Sequence, residues 1–256
     1  MRSFFKSLLL SGLLAASTLV QAALPQPPEI AARSYLLMDV TAGQILAGKD
    51  IDDPVEPASL TKLMSAYLVF DALRTQKISL EQTLPVSERA WKMPGSRMFI
   101  EVGKQVSVDD LLHGIIIQSG NDASVAMAEY IAGSEEAFAD MMNQQASALQ
   151  LQNSSFRNAT GLPDEGHYSS AFDMALLARA IIDEDPEHYA IYAQKEFLWN
   201  DIRQQNRNLL LWRDSTVDGL KTGHTEEAGY CLVASAVRDN MRLISVIFGA
   251  RDEASR

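Results

Sequence analysis

Residues 217–250 read VDGLKTGHTEEAGYCLVASAVRDNMRLISVIFGA, and this stretch decides the architecture of the chain. GYCLVASAV (229–237) and MRLISVIFGA (241–250) are rich in β-branched and apolar residues. They flank Arg238, Asp239 and Asn240, so they predict a hairpin of two strands. At the other end of the chain, SYLLMDV (34–40) and QILAG (44–48) flank Thr41, Ala42 and Gly43 and predict a second hairpin. The middle is helical. Leu60, Leu63, Met64, Tyr67, Leu68 and Leu73 share one face of a helix from Leu60 to about Leu73. Ser107 with Asp110 and Ser170 with Asp173 are capping boxes for helices predicted through Ile117 and Ile182. Two more helices follow, one after Asn121 that stops at Gly133 and one over Glu135 to Leu149. Strands at both ends with helices between them predict an α/β fold of the α+β type. An antiparallel sheet is built from both chain ends, with a helical lobe inserted. A site is expected in the cleft between sheet and lobe.

Composition narrows the function. The 256 residues are 47% hydrophobic and 21% charged, as in a globular protein. MRSFFKSLLLSGLLAASTLVQAA opens with Arg2 and Lys6 ahead of an apolar run from Leu8 to Val20 and ends in small residues. That is the anatomy of a secretory signal peptide over residues 1–22, cut after Ala22, which implies a periplasmic location. Pro25, Pro27 and Pro28 make residues 23–32 an extended linker. Loss of the signal, whose only charges are Arg2 and Lys6, takes the net charge from −11 to −13. So acidic a chain excludes nucleic acid as a partner. The single cysteine, Cys231, has no internal disulfide partner and is expected as a buried apolar residue. No metal or other cofactor is expected. His113, His167 and His188 are read as structural or surface residues, and Met93, Met98, Met127, Met141 and Met142 as core filling.

Three short strings carry the chemistry: SLTK from Ser59 to Lys62, SGN from Ser119 to Asn121, and KTG from Lys221 to Gly223. A serine hydroxyl needs a base to become a nucleophile, and Lys62 lies one helical turn from Ser59 on the same face. To accept a proton near neutral pH the amine must be depressed by burial and by a second cation, for which Lys221 is the candidate. Backbone N–H groups around Ser59 can hold an oxyanion, with a second donor from the strand that carries Lys221. Ser119 is placed to relay a proton to a leaving group, and Asn121 to bond a substrate amide or Lys62. Gly223 lets a substrate backbone run close against the strand edge. The long irregular segment LQNSSFRNATGLPDEGHYSS (151–170) is of a length that is often functional.

From about Pro27 onward the chain resembles the low-molecular-mass penicillin-binding proteins, specifically the serine-type D-alanyl-D-alanine carboxypeptidases. The strings PASLTKLM, QSGNDASVAMAEYIAGSE, YSSAFDMALLARAI, NRNLLLW and VDGLKTGHTEEAGYCLVASA carry the resemblance. It implies the β-lactamase/transpeptidase-like fold over residues 33–256, with Ser59 as acyl-ester nucleophile, Lys62 as base, and Ser119 and Asn121 as the second catalytic string. It further implies Lys221, Thr222, Gly223, His224, Thr225 and Arg207 as substrate-binding residues, with the Ser59 and His224 N–H groups as the oxyanion hole. The implied partners are a peptidoglycan stem pentapeptide, which loses its terminal D-alanine, and β-lactams, which acylate Ser59. Such relatives continue into a closing helix, a β-rich domain and an amphipathic helix that anchors them to the membrane. The present sequence stops at Arg256, and its resemblance therefore implies a catalytic domain without those parts. Two other readings share the motifs: a β-lactamase, for which no deacylating glutamate can be placed, and a non-catalytic wall-binding protein.

Overall fold

The computed structural model describes residues 29–256. The segment read as a signal peptide (1–22) and most of the segment read as a Pro-rich linker (23–32) lie outside the described residues. The chain opens with strands β1 (Ser34–Asp39) and β2 (Gln44–Lys49). A 3₁₀ turn over Ala58–Thr61 leads into helix α1 (Lys62–Arg74). The helical lobe then contains β3 (Thr83–Pro85), α2 (Glu88–Trp91), β4 (Gln105–Ser107), α3 (Val108–His113), α4 (Asn121–Ala132) and α5 (Glu135–Ala148). Helices α6 (Ala171–Glu184) and α7 (Pro186–Tyr189) return the chain toward the sheet. A ribbon of β5 (Glu196–Trp199) and β6 (Ile202–Gln205), a short α8 (Leu210–Arg213) and strands β7 (Val217–Thr225), β8 (Gly229–Arg238) and β9 (Met241–Ala250) follow.

The five long strands form one antiparallel sheet in the order β2-β1-β9-β8-β7. Strand β1 pairs with β9 from Ser34 opposite Phe248 to Asp39 opposite Leu243, so the two chain ends are joined as the strand patterns predict. The inner sheet face buries Leu36, Met38, Cys231, Val233, Ile244, Val246 and Phe248 in one core with α1 and α6. Helix α1 is buried on nearly all sides, from Leu63 through Phe70, and is the central post of the molecule. Burying an aliphatic or aromatic side chain contributes roughly 1.5–3 kcal/mol, so this post fixes whatever its first turn carries.

Capping is as the sequence predicts: Ser107 Oγ accepts from the Asp110 N–H, and Ser170 Oγ from that of Asp173. One local reading needs correction. The helix predicted through Ile117 ends as an α-helix at His113 and continues as a wider π-turn over Gly114–Gln118. Its end is left-handed at Ser119 (φ +65°), and the Gly120 N–H reaches back to the Gly114 carbonyl. Wide turns of this kind cluster at functional sites because they re-aim the residue that follows. Between β6 and β7 the chain forms the short α8, where Asn208 Oδ1 accepts from the Leu210 N–H.

Candidate active site

The 3₁₀ turn before α1 is wedged between the sheet edge and segment 158–162. Among the described residues, strand β7 is an edge strand with β8 as its sole neighbour in the sheet. The C-terminal part of β7, around Gly223, packs against the turn that holds Ser59. The fit is tight: a Cβ on Gly223 would stand 3.1 Å from the Ser59 nitrogen and 3.2 Å from the Ala58 Cβ. Gly223 thus admits the nucleophile turn itself against the strand. Ala58, the residue before Ser59, has φ +45°, and Ser119 has φ +65°. Both are strained conformations for residues with a side chain, held by the packing around them.

Lys62 lies under this turn and is 1% exposed. Its Nζ is 3.1 Å from Ser59 Oγ, 2.7 Å from Asn121 Oδ1 and 2.6 Å from the Thr160 carbonyl. Burial draws the amine down from its ordinary value to about 7, aided by the Arg207 charge and opposed by Asp122 and Glu135. Burial is the larger cause; Arg207 is a depressing cation that the sequence reading did not name, and the charges of the buried Lys62 and Lys221 also disfavour each other. Once neutral, the amine keeps two N–H groups for Asn121 and Thr160 and turns its lone pair to the Ser59 hydroxyl. The Asn121 amide is fixed in turn, since its Nδ2 donates to the Pro94 carbonyl at 2.7 Å.

A second pair stands beside the first. Lys221, buried under β7, donates from Nζ to Ser119 Oγ (2.9 Å) and to the Thr222 carbonyl (2.9 Å). Burial also holds Lys221 well below the usual lysine range, reinforced by the charges of Lys62 and Arg207. Because Lys221 already donates to Ser119 Oγ, the Ser119 hydrogen is free to point elsewhere.

Above these pairs opens a cleft of about 830 Å³, lined among others by Ser59, Ser119, Asn121, Thr222, Gly223, His224, Thr225 and Arg207. Eight of the ten residues singled out from sequence thus line one cleft, and Lys62 and Lys221 lie beneath its floor. His224 packs at a tilt against Tyr230 with ring centroids 4.1 Å apart. The Thr225 hydroxyl accepts from the Ala228 N–H and so shapes the β7–β8 turn while it lines the cleft. Arg207 donates to Ser96 Oγ at 3.0 Å.

Sequence reading missed several cleft residues. Arg256 reaches over the Tyr230 ring, 5.5 Å from its centroid, with Nη1 3.4 Å from the Gly223 carbonyl. Thr160, Leu162, Gln204 and the 95–99 loop also line the cleft. Of these, only the 158–162 turn had a signal, the length of the irregular segment around it. The isolated histidines have structural surroundings. His113 stacks on Phe197 and His188 on Phe70. His167, buried, accepts the Arg157 N–H at Nδ1, which puts its proton on Nε2 facing Thr61 Oγ1 at 2.8 Å. Burial pulls His167 down to about 4.

The fold is that of the penicillin-binding DD-peptidases. Penicillin-binding protein 5 from Haemophilus influenzae matches with a TM-score of 0.88 at 46% identity, over 90% of this chain and 69% of that one. Penicillin-binding protein D2 from Listeria monocytogenes, solved in an ampicillin-bound form, matches at 0.82 and 29% identity, over 90% of this chain and 95% of that one. A profile of the D-alanyl-D-alanine carboxypeptidase family matches residues 21–252, and the chain belongs to that family. D-alanyl-D-alanine carboxypeptidase DacC of Escherichia coli K12 is 49% identical over 238 residues, which are 90% of this chain and 60% of the relative. DacD of the same organism is 48% identical over 91% of this chain and 62% of the relative. The chain thus spans about three-fifths of the length of these curated relatives.

Proposed function

We propose that the protein is a serine D,D-carboxypeptidase of the periplasm that removes the terminal D-alanine from peptidoglycan stem pentapeptides and is acylated by β-lactams. The observation that carries this reading is the buried Lys62 amine bridging Ser59 Oγ and Asn121 Oδ1. The periplasmic location rests on the signal-peptide reading. Among the described residues, no helix is long and apolar enough to cross a membrane.

In this reading the substrate lies antiparallel to the free edge of β7, its carboxylate toward Thr222 and Arg207. Neutral Lys62 takes the Ser59 proton as Oγ attacks the penultimate carbonyl, and the tetrahedral oxyanion is held by the Ser59 and His224 N–H groups. Ser119 gives its hydroxyl proton to the departing D-alanine nitrogen as the C–N bond breaks, and recovers one through the lysines. Water then attacks the Ser59 ester with Lys62 again as base, releasing the shortened peptide and restoring the hydroxyl. Asn121 holds the substrate amide and the amine together.

Two expected results test the reading. Treatment with benzylpenicillin adds one penicilloyl group to the intact chain, read by mass spectrometry, and Ser59→Ala accepts none. An unmodified, folded wild-type protein would overturn the proposal. The adduct is expected to be long-lived, because Glu253 is the one carboxylate among the described cleft-lining residues and it is paired with Arg256 at 2.7 Å. Rapid release of penicilloic acid would favour a β-lactamase instead. The rate of acylation is also expected to climb with pH through about 7, as Lys62 loses its proton. A profile flat between pH 6 and 8 would remove Lys62 from the role of base.

A further inference from the structure

Segment 94–100 gives Gly95, Ser96 and Phe99 to the cleft wall, and its backbone is fastened at almost every residue. Asp122, fully buried, accepts the N–H groups of Met98 (2.9 Å), Phe99 (2.9 Å) and Ile100 (3.2 Å) on its carboxylate. Gln204 Nε2 donates to the Met98 carbonyl, Gln118 Nε2 to that of Arg97, and the Asn121 N–H to that of Ser96. What this clamp holds is Phe99 in a left-handed conformation (φ +69°), with 49% of the residue exposed. The Arg97 guanidinium backs the ring at 5.7 Å. A single exposed aromatic is ordinary, but one kept in a conformation that disfavours it, by a buried carboxylate spent on three consecutive amides, points to a use for the ring. Ile202, at the start of β6 and 40% exposed, lines the same cleft.

We propose that Phe99 and Ile202 form an apolar subsite that reads the side chain of the residue released from the substrate. The placement follows from the wall on which they stand. Ser96 of the same loop accepts from Arg207, and Gln204 of the same ribbon bonds Met98. This is therefore the side of the cleft assigned above to the substrate carboxylate and the leaving amine. The acylated part of the substrate runs the other way along β7. The subsite rests on the carboxypeptidase reading and adds to it a preference for an apolar leaving residue over glycine.

The test uses three peptides with a common acyl part that end in glycine, D-alanine or D-norvaline, and measures kcat/KM for release of each end residue. Phe99→Gly removes the ring and relaxes the left-handed backbone, so the fold is kept; Ile202→Ser is an independent variant that leaves the 94–100 loop unaltered. Each is expected to lower the preference for D-alanine and D-norvaline over glycine by about five- to ten-fold, the range of a lost apolar contact. Phe99→Leu should retain most of the preference. An equal loss on all three peptides, or ratios unchanged from wild type, overturns the subsite. A wild-type protein that releases none of the three end residues overturns the carboxypeptidase reading, and the subsite with it.

Discussion

Lys62→Met is expected to acylate with benzylpenicillin some three to four orders of magnitude more slowly than the wild type while remaining folded. The loss follows from removing the general base, whose contribution falls in that range. Retention of the fold follows from the geometry. The amine is 1% exposed and held to about 7, so its charged form is disfavoured in the folded state. Methionine fills nearly the same volume without that cost, which offsets the two acceptors left at Asn121 and Thr160. Stopped-flow acylation and thermal unfolding separate the two outcomes. Linkage gives a further signature. Between about pH 7 and 10.5 the unfolded lysine carries a proton that the folded one lacks, so this group makes stability rise with pH over that interval. The variant should flatten the rise. Acylation within ten-fold of wild type would remove Lys62 from the mechanism.

The second large effect is expected at Gly161. Its φ is +80°, and a Cβ there would stand 1.8 Å from the Ala58 carbonyl oxygen and 2.7 Å from Thr61 Oγ1. No flexible side-chain end is available to yield, because the first obstacle is the backbone that presents Ser59. Gly161→Ala is therefore expected to destabilise the fold by about 3 kcal/mol or more and to abolish penicillin labelling. Gly133→Ala is the control. It shares a left-handed φ of +84° but has nothing within 4 Å of its Cβ. It should cost about 1 kcal/mol, the conformational penalty alone, and leave labelling intact. Urea unfolding of the pair isolates the clash, and equal destabilisation of the two would discard this account of Gly161.

Much of this was legible in the sequence because it is encoded locally. Alternation and turn residues mark β1, β2, β8 and β9, serine caps mark α3 and α6, and the three-residue spacing of Ser59 and Lys62 puts hydroxyl and amine on one helical face. What escaped was set by distance along the chain. Arg256 meets Gly223 because β9 runs back along β8, and no spacing rule links positions 33 residues apart. Thr160 reaches Lys62 across 98 residues through an irregular segment with no periodicity to read. The wide turn before Ser119 depends on Gly114 lying against Met98, where a Cβ would meet Sδ at 2.2 Å. That contact belongs to tertiary packing, and the apolar pattern of 108–117 gives no hint of it. Lys221 was legible as a cation near Lys62, but its bond to Ser119 and the added charge of Arg207 were not.

The pairing of β1 with β9 sets an order of events during biosynthesis. Among the described residues, 34–39 have β2 as their only early partner, and their other neighbour, residues 243–248, emerges after two hundred more have been made. Contacts of such long range close slowly, since a large loop must be ordered first. Until then the inner faces of both hairpins lack their shared core, and the nascent polypeptide cannot lock before its last strand has been made.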